Sequence, residues 1–305
     1  MAMSNSTYIL CPGQGAQHVG MGRDWADQHP AAKKVYDEAN DVLGVDLAKL
    51  CFEGPEEQLN QTDVAQPAIY VTSLACHAAA KEAGTINPDD VTAFAGLSLG
   101  EYTALHLAGC FDFATGLRLV QARGRYMQEA AVSVPSGMIS LIGADEKQAS
   151  ELCEQAAHGH VLVPANYNCP GQIVCSGATP AVERLEQVAS EHGLRAIVLK
   201  VAGAFHSPLM QPAADRLAED FEQVEFNAPA KPVWSNVTAN EHGSDPAEIK
   251  ALLVRQVIEP VRWQQTMEQL VGDGATFVEL APGRVLSGLL KKVDRRASMT
   301  NVATP

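Results

Sequence analysis

Apolar residues along this chain occur in short continuous runs that alternate with helix-like stretches. The run at residues 91–97 is typical of a buried strand, and the helix-forming stretch 101–108 that follows it ends at Gly109. Residues 8–12 form a second predicted strand, and residues 276–280 form a third, which leads into a leucine-rich helix. This alternation of strands and helices predicts a parallel α/β sheet.

The middle of the chain has a different rhythm. A strand, a helix, two strands joined by a turn, a second helix and a closing strand are predicted at residues 137–143, 145–157, 161–168, 172–177, 179–192 and 195–201. This β-α-β-β-α-β order is the ferredoxin-like arrangement. We therefore predict a large α/β-hydrolase-like domain, formed by residues 1–132 and 202–305, with a small ferredoxin-like subdomain, residues 133–201, inserted into it. One continuous sheet is the alternative.

The overall composition is that of an ordinary soluble protein. Of the 305 residues, 46% are hydrophobic and 19% are charged. No run approaches the roughly 18 apolar residues of a membrane span, and residues 1–7 lack the basic and apolar segments of a secretion signal. We therefore expect a cytoplasmic protein that binds no membrane.

The formal net charge of −14 argues against general binding to nucleic acid or to anionic membranes. A local basic patch could still bind an acidic partner, and one candidate, which equally fits a solvated helix face, consists of Lys291, Lys292, Arg295 and Arg296. The seven cysteines are scattered without a CxxC pair, so neither a disulfide framework nor a zinc site is predicted. His158 and His160 flank a glycine without a third ligand, and we predict no metal site.

The segment Gly-Leu-Ser-Leu-Gly at residues 96–100 predicts a nucleophilic serine. Ser98 lies between the predicted strand and helix, with a glycine two residues away on each side, which is the nucleophile-elbow pattern. Small neighbours allow a sharp turn, and a helix N-terminus presents free N–H groups and a partial positive charge. The alternative is that Ser98 only caps the helix.

A serine hydroxyl needs a base to take its proton. Of the nine histidines, His206 is the best candidate, because it follows a predicted strand and lies in a loop just before a helix. A purely structural histidine is the alternative. His18, His77 and His106 lie in helical or loop segments, and we interpret them as surface or packing residues.

Two further positions have competing interpretations. The loop at residues 13–17 has two glycines but neither a third glycine, because His18 stands there, nor the Gly-Lys-Ser/Thr ending of a phosphate loop. We therefore favour a backbone N–H donor for an oxyanion at Gln14. Arg123, beside Gly124 on a predicted helix, is either an exposed salt-bridge partner or an inward-pointing ligand for a carboxylate.

In its motifs and their order the chain resembles the malonyl-CoA:acyl-carrier-protein transacylases, which load malonyl groups for fatty-acid synthesis. The resemblance covers nearly the whole chain. Its motifs lie at residues 12–17, 97–102, 123–124, 166–172 and 205–207, with Gln256 four residues before the segment 260–263.

The resemblance implies a Ser-His dyad. Ser98 would attack the malonyl thioester, and His206 would act as general base. The backbone carbonyl of Gln256 would orient the imidazole in place of an aspartate. The N–H groups of Gln14 and Leu99 would hold the oxyanion.

The resemblance also implies how substrate is bound. Arg123 would bind the free malonyl carboxylate, while Asn166 and Gln66 would shape the pocket. Phe205 matches the pattern associated with malonyl rather than methylmalonyl selection. Many family members have His immediately before the nucleophile, where this chain has Leu97, and we expect altered packing there rather than lost activity.

The implied reaction is ping-pong. Malonyl-Ser98 forms, CoA leaves, and the phosphopantetheine thiol of acyl carrier protein takes the malonyl group, so that malonyl-CoA and the carrier protein are transient partners. No bound cofactor is expected, and the resemblance implies a monomer.

A discrete acyltransferase of a polyketide synthase would share every motif. A serine acyl-thioester hydrolase and a silent carrier-docking subunit are the alternatives from other classes.

Overall fold

Two separate β-sheets form the framework of the computed structural model, which describes residues 6–305. The predicted absence of a secretion signal concerns residues 1–7, of which 1–5 lie outside the described residues. The strands of the described chain are β1 (Ser6–Cys11), β2 (Val91–Gly96), β3 (Ser136–Ile142), β4 (Leu162–Cys169), β5 (Gln172–Ala178), β6 (Arg195–Val198), β7 (Val233–Trp234), β8 (Ala275–Leu280) and β9 (Ser298–Val302).

Helices cover the sheets and supply most of the remaining structure. In the described residues they are α1 (Arg23–Gln28), α2 (Pro30–Leu43), α3 (Leu47–Glu53), α4 (Glu56–Leu59), α5 (Thr62–Glu82), α6 (Gly100–Leu107), α7 (Phe113–Ser133), α8 (Glu146–Ala157), α9 (Thr179–Glu191), α10 (Gln211–Glu222), α11 (Pro246–Gln256), α12 (Trp263–Leu270) and α13 (Val285–Val293). Between residues 6 and 305, no helix combines the length and the apolar character needed to span a membrane.

The first sheet is parallel and has the strand order β7-β2-β1-β8-β9. Strand β1 lies at its centre, and Ile9 and Leu10 are fully buried because helices cover both faces. The strands predicted near residues 8–12, 91–97 and 276–280 are confirmed, with their ends shifted by one or two residues.

The second sheet is antiparallel and has the order β4-β5-β3-β6. Helices α8 and α9 pack against it around a core that includes Leu141, Leu152 and Leu185. The alternative of one continuous sheet is therefore wrong. The closing strand, predicted to reach residue 201, ends at Val198, because the backbone turns tightly just beyond it, where Val201 N donates back to Leu199 O at 3.1 Å.

A short bridge joins β4 of the antiparallel sheet to the segment between α11 and α12. Tyr167 N donates to Val261 O at 2.9 Å, and Val261 N donates to Ala165 O at 2.9 Å. The residues that follow β1 and β2 line the same cavity as Asn166 of β4, at the carboxyl ends of the strands, where parallel α/β sheets commonly bind their ligands. The residues that follow those two strands are therefore brought to the same place.

Candidate active site

The turn between β2 and α6 holds Ser98 in a strained backbone conformation, with a φ of 52°. The two flanking glycines make this turn possible. A Cβ on Gly96 would lie 1.9 Å from the Gly100 backbone, and a Cβ on Gly100 would lie 2.1 Å from Cys11 O. Ser98 therefore stands on a tight elbow, where its side chain faces a cavity.

The Ser98 hydroxyl is hydrogen-bonded to a buried histidine. Ser98 Oγ lies 2.8 Å from His206 Nε2, and His206 Nδ1 lies 2.7 Å from the backbone oxygen of Gln256. A carbonyl only accepts, so Nδ1 carries the proton and Nε2 is left to accept from the serine. This chain of contacts is the geometry that proton removal from Ser98 requires.

Burial keeps this histidine neutral. Burial, and secondarily the charge of Arg123, lowers the pKa of His206 to about 4. The imidazole is therefore ready to accept a proton over the whole range near neutral pH.

Arg123 on α7 points inward and is 1% exposed, so the alternative of an exposed salt-bridge partner is wrong. Its Nη1 donates to Gln66 Oε1 at 2.6 Å, and its Nη2 donates to Gln256 Oε1 at 2.9 Å and to Ser98 Oγ at 3.1 Å. Its Nε is buried without a hydrogen-bond partner among residues 6–305. Burial lowers the pKa of this guanidinium, but arginine stays charged near neutral pH, so the site contains a cation with a spare donor.

Two backbone N–H groups near Ser98 have no acceptor within the described residues, those of Gln14 and Leu99. Their loops are in close contact, since a Cβ on Gly13 would lie 2.3 Å from Leu97 O. Gln14 lines the cavity, and Leu99 is the N-cap residue of helix α6. Both groups are available to an acceptor beside the serine.

The cavity has a volume of about 580 Å³ and lies between the two sheets. The parallel-sheet side contributes Ser98 and Leu97, and the antiparallel-sheet side contributes Met138, Asn166 and Val174. Leu97, immediately before the nucleophile, is also part of the cavity wall. Also on the wall are Gln14, Arg123, Phe205 and His206.

Comparison with known proteins identifies the family. The acyl transferase domain model matches residues 7–304. The malonyl CoA-acyl carrier protein transacylase of Bacillus subtilis is 42% identical over 300 residues, covering 97% of this chain and 93% of its own length. The chain belongs to the malonyl-CoA:acyl-carrier-protein transacylase family.

Solved structures of this family match the whole fold. An acyl carrier protein S-malonyltransferase from Vibrio cholerae superposes with a TM-score of 0.92 at 40% identity, covering 98% of this chain and 97% of that one. A type II PKS acyl-carrier protein in complex with its malonyl-transacylase gives 0.93 at 40% identity, covering 98% and 96%. The mixed arrangement of a parallel and a separate antiparallel sheet is therefore that of the transacylase family.

Several buried residues of this transacylase site were missed by sequence reasoning. The side chain of Gln256, and not only its carbonyl, contacts Arg123, while Nε2 of the same amide donates to Ser98 O at 2.9 Å. Asn236 Oδ1 accepts from Ser98 N at 2.6 Å. Glu101, in the first turn of α6, is fully buried behind them. No local sequence pattern predicts these contacts. Glu101 in particular is typical of an acidic residue early in a helix, which ordinarily faces solvent.

The remaining candidates do not line the cavity. Gln66 is fully buried behind Arg123 and does not reach the cavity wall. His18 is exposed, and His106 packs against aromatic rings, as predicted for surface and packing residues.

Between residues 6 and 305, no group of three or more His, Cys, Asp or Glu side chains is placed to hold a metal ion. The basic cluster of Lys291, Lys292, Arg295 and Arg296 is exposed on and after α13.

Proposed function

We propose that this protein transfers the malonyl group of malonyl-CoA to the phosphopantetheine thiol of acyl carrier protein through a malonyl-Ser98 intermediate. The observation that carries the proposal is the hydrogen-bonded chain from Ser98 through His206 to Gln256 O, beside the buried guanidinium of Arg123. Relatives at 42% and 41% identity, from Bacillus subtilis and Escherichia coli, bear the name of this activity.

The first half-reaction acylates the serine. His206 Nε2 takes the hydroxyl proton as Ser98 Oγ attacks the thioester carbonyl, and the N–H groups of Gln14 and Leu99 hold the resulting oxyanion. When the tetrahedral intermediate collapses, the C–S bond breaks and the proton on His206 passes to the CoA sulfur. Malonyl-Ser98 and CoA are the products.

The second half-reaction runs the same steps with a new thiol. His206 takes the proton of the phosphopantetheine thiol, whose sulfur attacks the malonyl ester, and the proton then returns to Ser98 Oγ. The carrier protein leaves with the malonyl group, and the enzyme is restored. This protein therefore needs no bound cofactor, because the pantetheine arm arrives on its partner.

Arg123 supplies the preference for a carboxylated acyl group. Its planar fork suits two parallel hydrogen bonds to a carboxylate, and its buried Nε is a donor that no described residue uses. Gln66 fixes the guanidinium from behind. Asn166 and Phe205 shape the wall that faces the acyl chain, and the ring of Phe205 fills the space of an α-substituent.

We also propose the domain organisation predicted above, with residues 133–201 forming a ferredoxin-like subdomain inserted into an α/β-hydrolase-like domain of residues 1–132 and 202–305. The antiparallel strand order β4-β5-β3-β6 and the two helices that pack on it support this division. A cytoplasmic monomer that meets its carrier protein transiently is the corresponding working state.

Intact-protein mass spectrometry tests the intermediate. Brief exposure to malonyl-CoA is expected to add one malonyl group, which peptide mapping places on Ser98. S98A should acquire no adduct, and S133A, which replaces an exposed serine, should acquire it normally. An adduct that persists in S98A would refute the assignment of the nucleophile.

A polyketide role is the second candidate, because one matching structure is a transacylase bound to a type II PKS acyl-carrier protein at 40% identity. Comparing kcat/KM for a fatty-acid carrier protein and for a type II polyketide carrier protein separates the two. A clear preference for the fatty-acid carrier supports the main proposal, and the reverse preference supports the polyketide role.

A further inference from the structure

The carboxylate of Glu101 lies directly behind the nucleophile elbow and outside the cavity wall. It is fully buried, and a buried carboxylate is costly unless hydrogen bonds compensate it. Three groups do so. Gln256 Nε2 donates to its Oε2 at 2.7 Å, Asn236 N donates to the same oxygen at 3.1 Å, and His242 Nε2 donates to its Oε1 at 2.6 Å.

Two of these three partners are the groups that hold the active-site residues. The side chain of Asn236 binds the backbone of the turn at two points, because its Oδ1 accepts from Ser98 N at 2.6 Å and its Nδ2 donates to Gly96 O at 2.7 Å. Glu101 fixes the backbone of Asn236, and through it both sides of the nucleophile.

The amide of Gln256 is oriented by the same carboxylate. A carboxylate only accepts hydrogen bonds, so it selects the NH₂ end of the amide. The oxygen end must then face Arg123, where it accepts from Nη2 at 2.9 Å. With the amide reversed, an NH₂ group would face the guanidinium and displace it.

Glu101 is separated from Arg123 only by the side-chain amide of Gln256, which contacts both. Arg123 itself contacts no carboxylate within residues 6–305. Opposite charges attract strongly where water is excluded. The carboxylate is thus placed to hold Arg123 and Gln256 in one fixed arrangement before substrate enters.

We propose that Glu101 is a positioning residue for malonyl transfer, whose acceptor oxygen orients Gln256 toward Arg123 and Asn236 toward Ser98. The inference rests on the proposed roles of Ser98 and Arg123. A positioning residue differs from an ordinary member of a buried ion pair. The ordinary member would stabilise the fold but leave the reaction rate of each folded molecule unchanged.

The test compares E101A, E101Q and a destabilised control. E101A removes the acceptor. E101Q keeps an acceptor oxygen for Gln256 and Asn236, while its NH₂ group can donate to His242 Nε2 once the proton of that ring moves to Nδ1, which has no partner among the described residues. The control is L152A, which opens a cavity in the separate core under the antiparallel sheet.

Active sites are counted by the burst of acyl-enzyme, and the rates of acylation by malonyl-CoA and acetyl-CoA are then expressed per active site. E101A is expected to lose roughly a hundredfold with malonyl-CoA and about tenfold with acetyl-CoA, because the Arg123 arm matters only for malonyl. E101Q should stay within about fivefold of wild type for both donors. L152A should lower Tm without changing either rate.

The proposal is overturned if E101A lowers Tm and burst amplitude but leaves both rates per active site, and their ratio, as in wild type. It is also overturned if E101Q is as slow as E101A, since the acceptor oxygen would then not be what matters. Should E101A fail to fold, E101D, which keeps the charge but retracts the oxygen, must show the fall in the malonyl-to-acetyl ratio. Absence of any adduct in wild type would instead refute the proposed function itself.

Discussion

At the scale of single residues, the site combines a neutral base with a buried cation. His206 is kept unprotonated by burial and by Arg123, while Arg123 itself is surrounded by neutral acceptors. A buried guanidinium without a carboxylate beside it is costly in a free protein. In the proposed reaction, a bound malonyl carboxylate offsets that cost, which links the proposed substrate preference to one side chain.

Replacing this cation should change substrate preference more than general activity. R123A is expected to lose about 3 kcal/mol of interaction with the malonyl carboxylate, or roughly a hundredfold in kcat/KM, because two charge-assisted hydrogen bonds disappear. Acetyl transfer should fall less than tenfold. The matched control is R118A, which removes an exposed arginine from the same helix. Equal losses for both acyl groups would contradict the role of Arg123.

The pKa of His206 predicts the pH dependence of acylation. The lowered value, about 4, means that the base form persists as pH falls and is lost only near pH 4. The single-turnover acylation rate should therefore stay nearly constant between pH 5.5 and pH 8, measured by rapid quench. A histidine with an ordinary pKa near 6.5 would lose about tenfold by pH 5.5. Such a fall would show that the base is not held neutral by burial.

At the scale of the elements, the elbow depends on contact between two loops and one helix. Gly100 begins α6 against the backbone of Cys11 at the end of β1. The helix N-terminus and the loop at residues 13–17 therefore approach each other only if residue 100 has no side chain. The position of Leu99 N relative to Gln14 N follows from this contact.

Adding one methyl group at this contact should shift the elbow. G100A is expected to destabilise the fold by about 1–3 kcal/mol through overpacking and to slow acylation, since Ser98 and Leu99 move together. G272A, whose added carbon would meet no atom within 4 Å, serves as the control. Denaturant unfolding and burst kinetics measure the two effects. Wild-type stability and rate in G100A would show that the contact is not restrictive.

The same elements show what sequence reasoning can and cannot predict. The turn around Ser98 and the strands beside it were predictable, because a glycine-flanked serine between a strand and a helix is a local pattern. The contacts of Ser98 with Asn236 and of Glu101 with Gln256 join residues 138 and 155 positions apart. Such contacts are determined by how the elements pack, so no sequence pattern near either residue predicts them.

At the scale of the whole molecule, the separation into two sheets creates the cavity. The antiparallel sheet contributes apolar wall residues such as Met138 and Val174, and the bridge between Tyr167 and Val261 joins it to the segment between α11 and α12. The alternation of elements predicted both sheets, but not the end of the closing strand at Val198, where a tight turn brings Val201 N back to Leu199 O.

The same dense packing should hide every thiol. All seven cysteines are free and buried, and burial raises the pKa of several, Cys51 and Cys110 to about 12. Because the thiolate is the reactive form, a colorimetric thiol reagent should label less than one thiol quickly in the native protein and all seven after unfolding. Several fast-reacting thiols in the native protein would contradict this packing.

The central claim is that the acyl group on Ser98 is passed to a carrier thiol. The most direct measurement isolates the malonyl-enzyme and follows its mass with and without phosphopantetheinylated carrier protein. We predict that the malonyl group moves to the carrier thiol at least a hundredfold faster than it is lost to water, because Arg123 and His206 keep it oriented for thiol attack. Loss at the same rate without the carrier would contradict transacylation and identify a hydrolase.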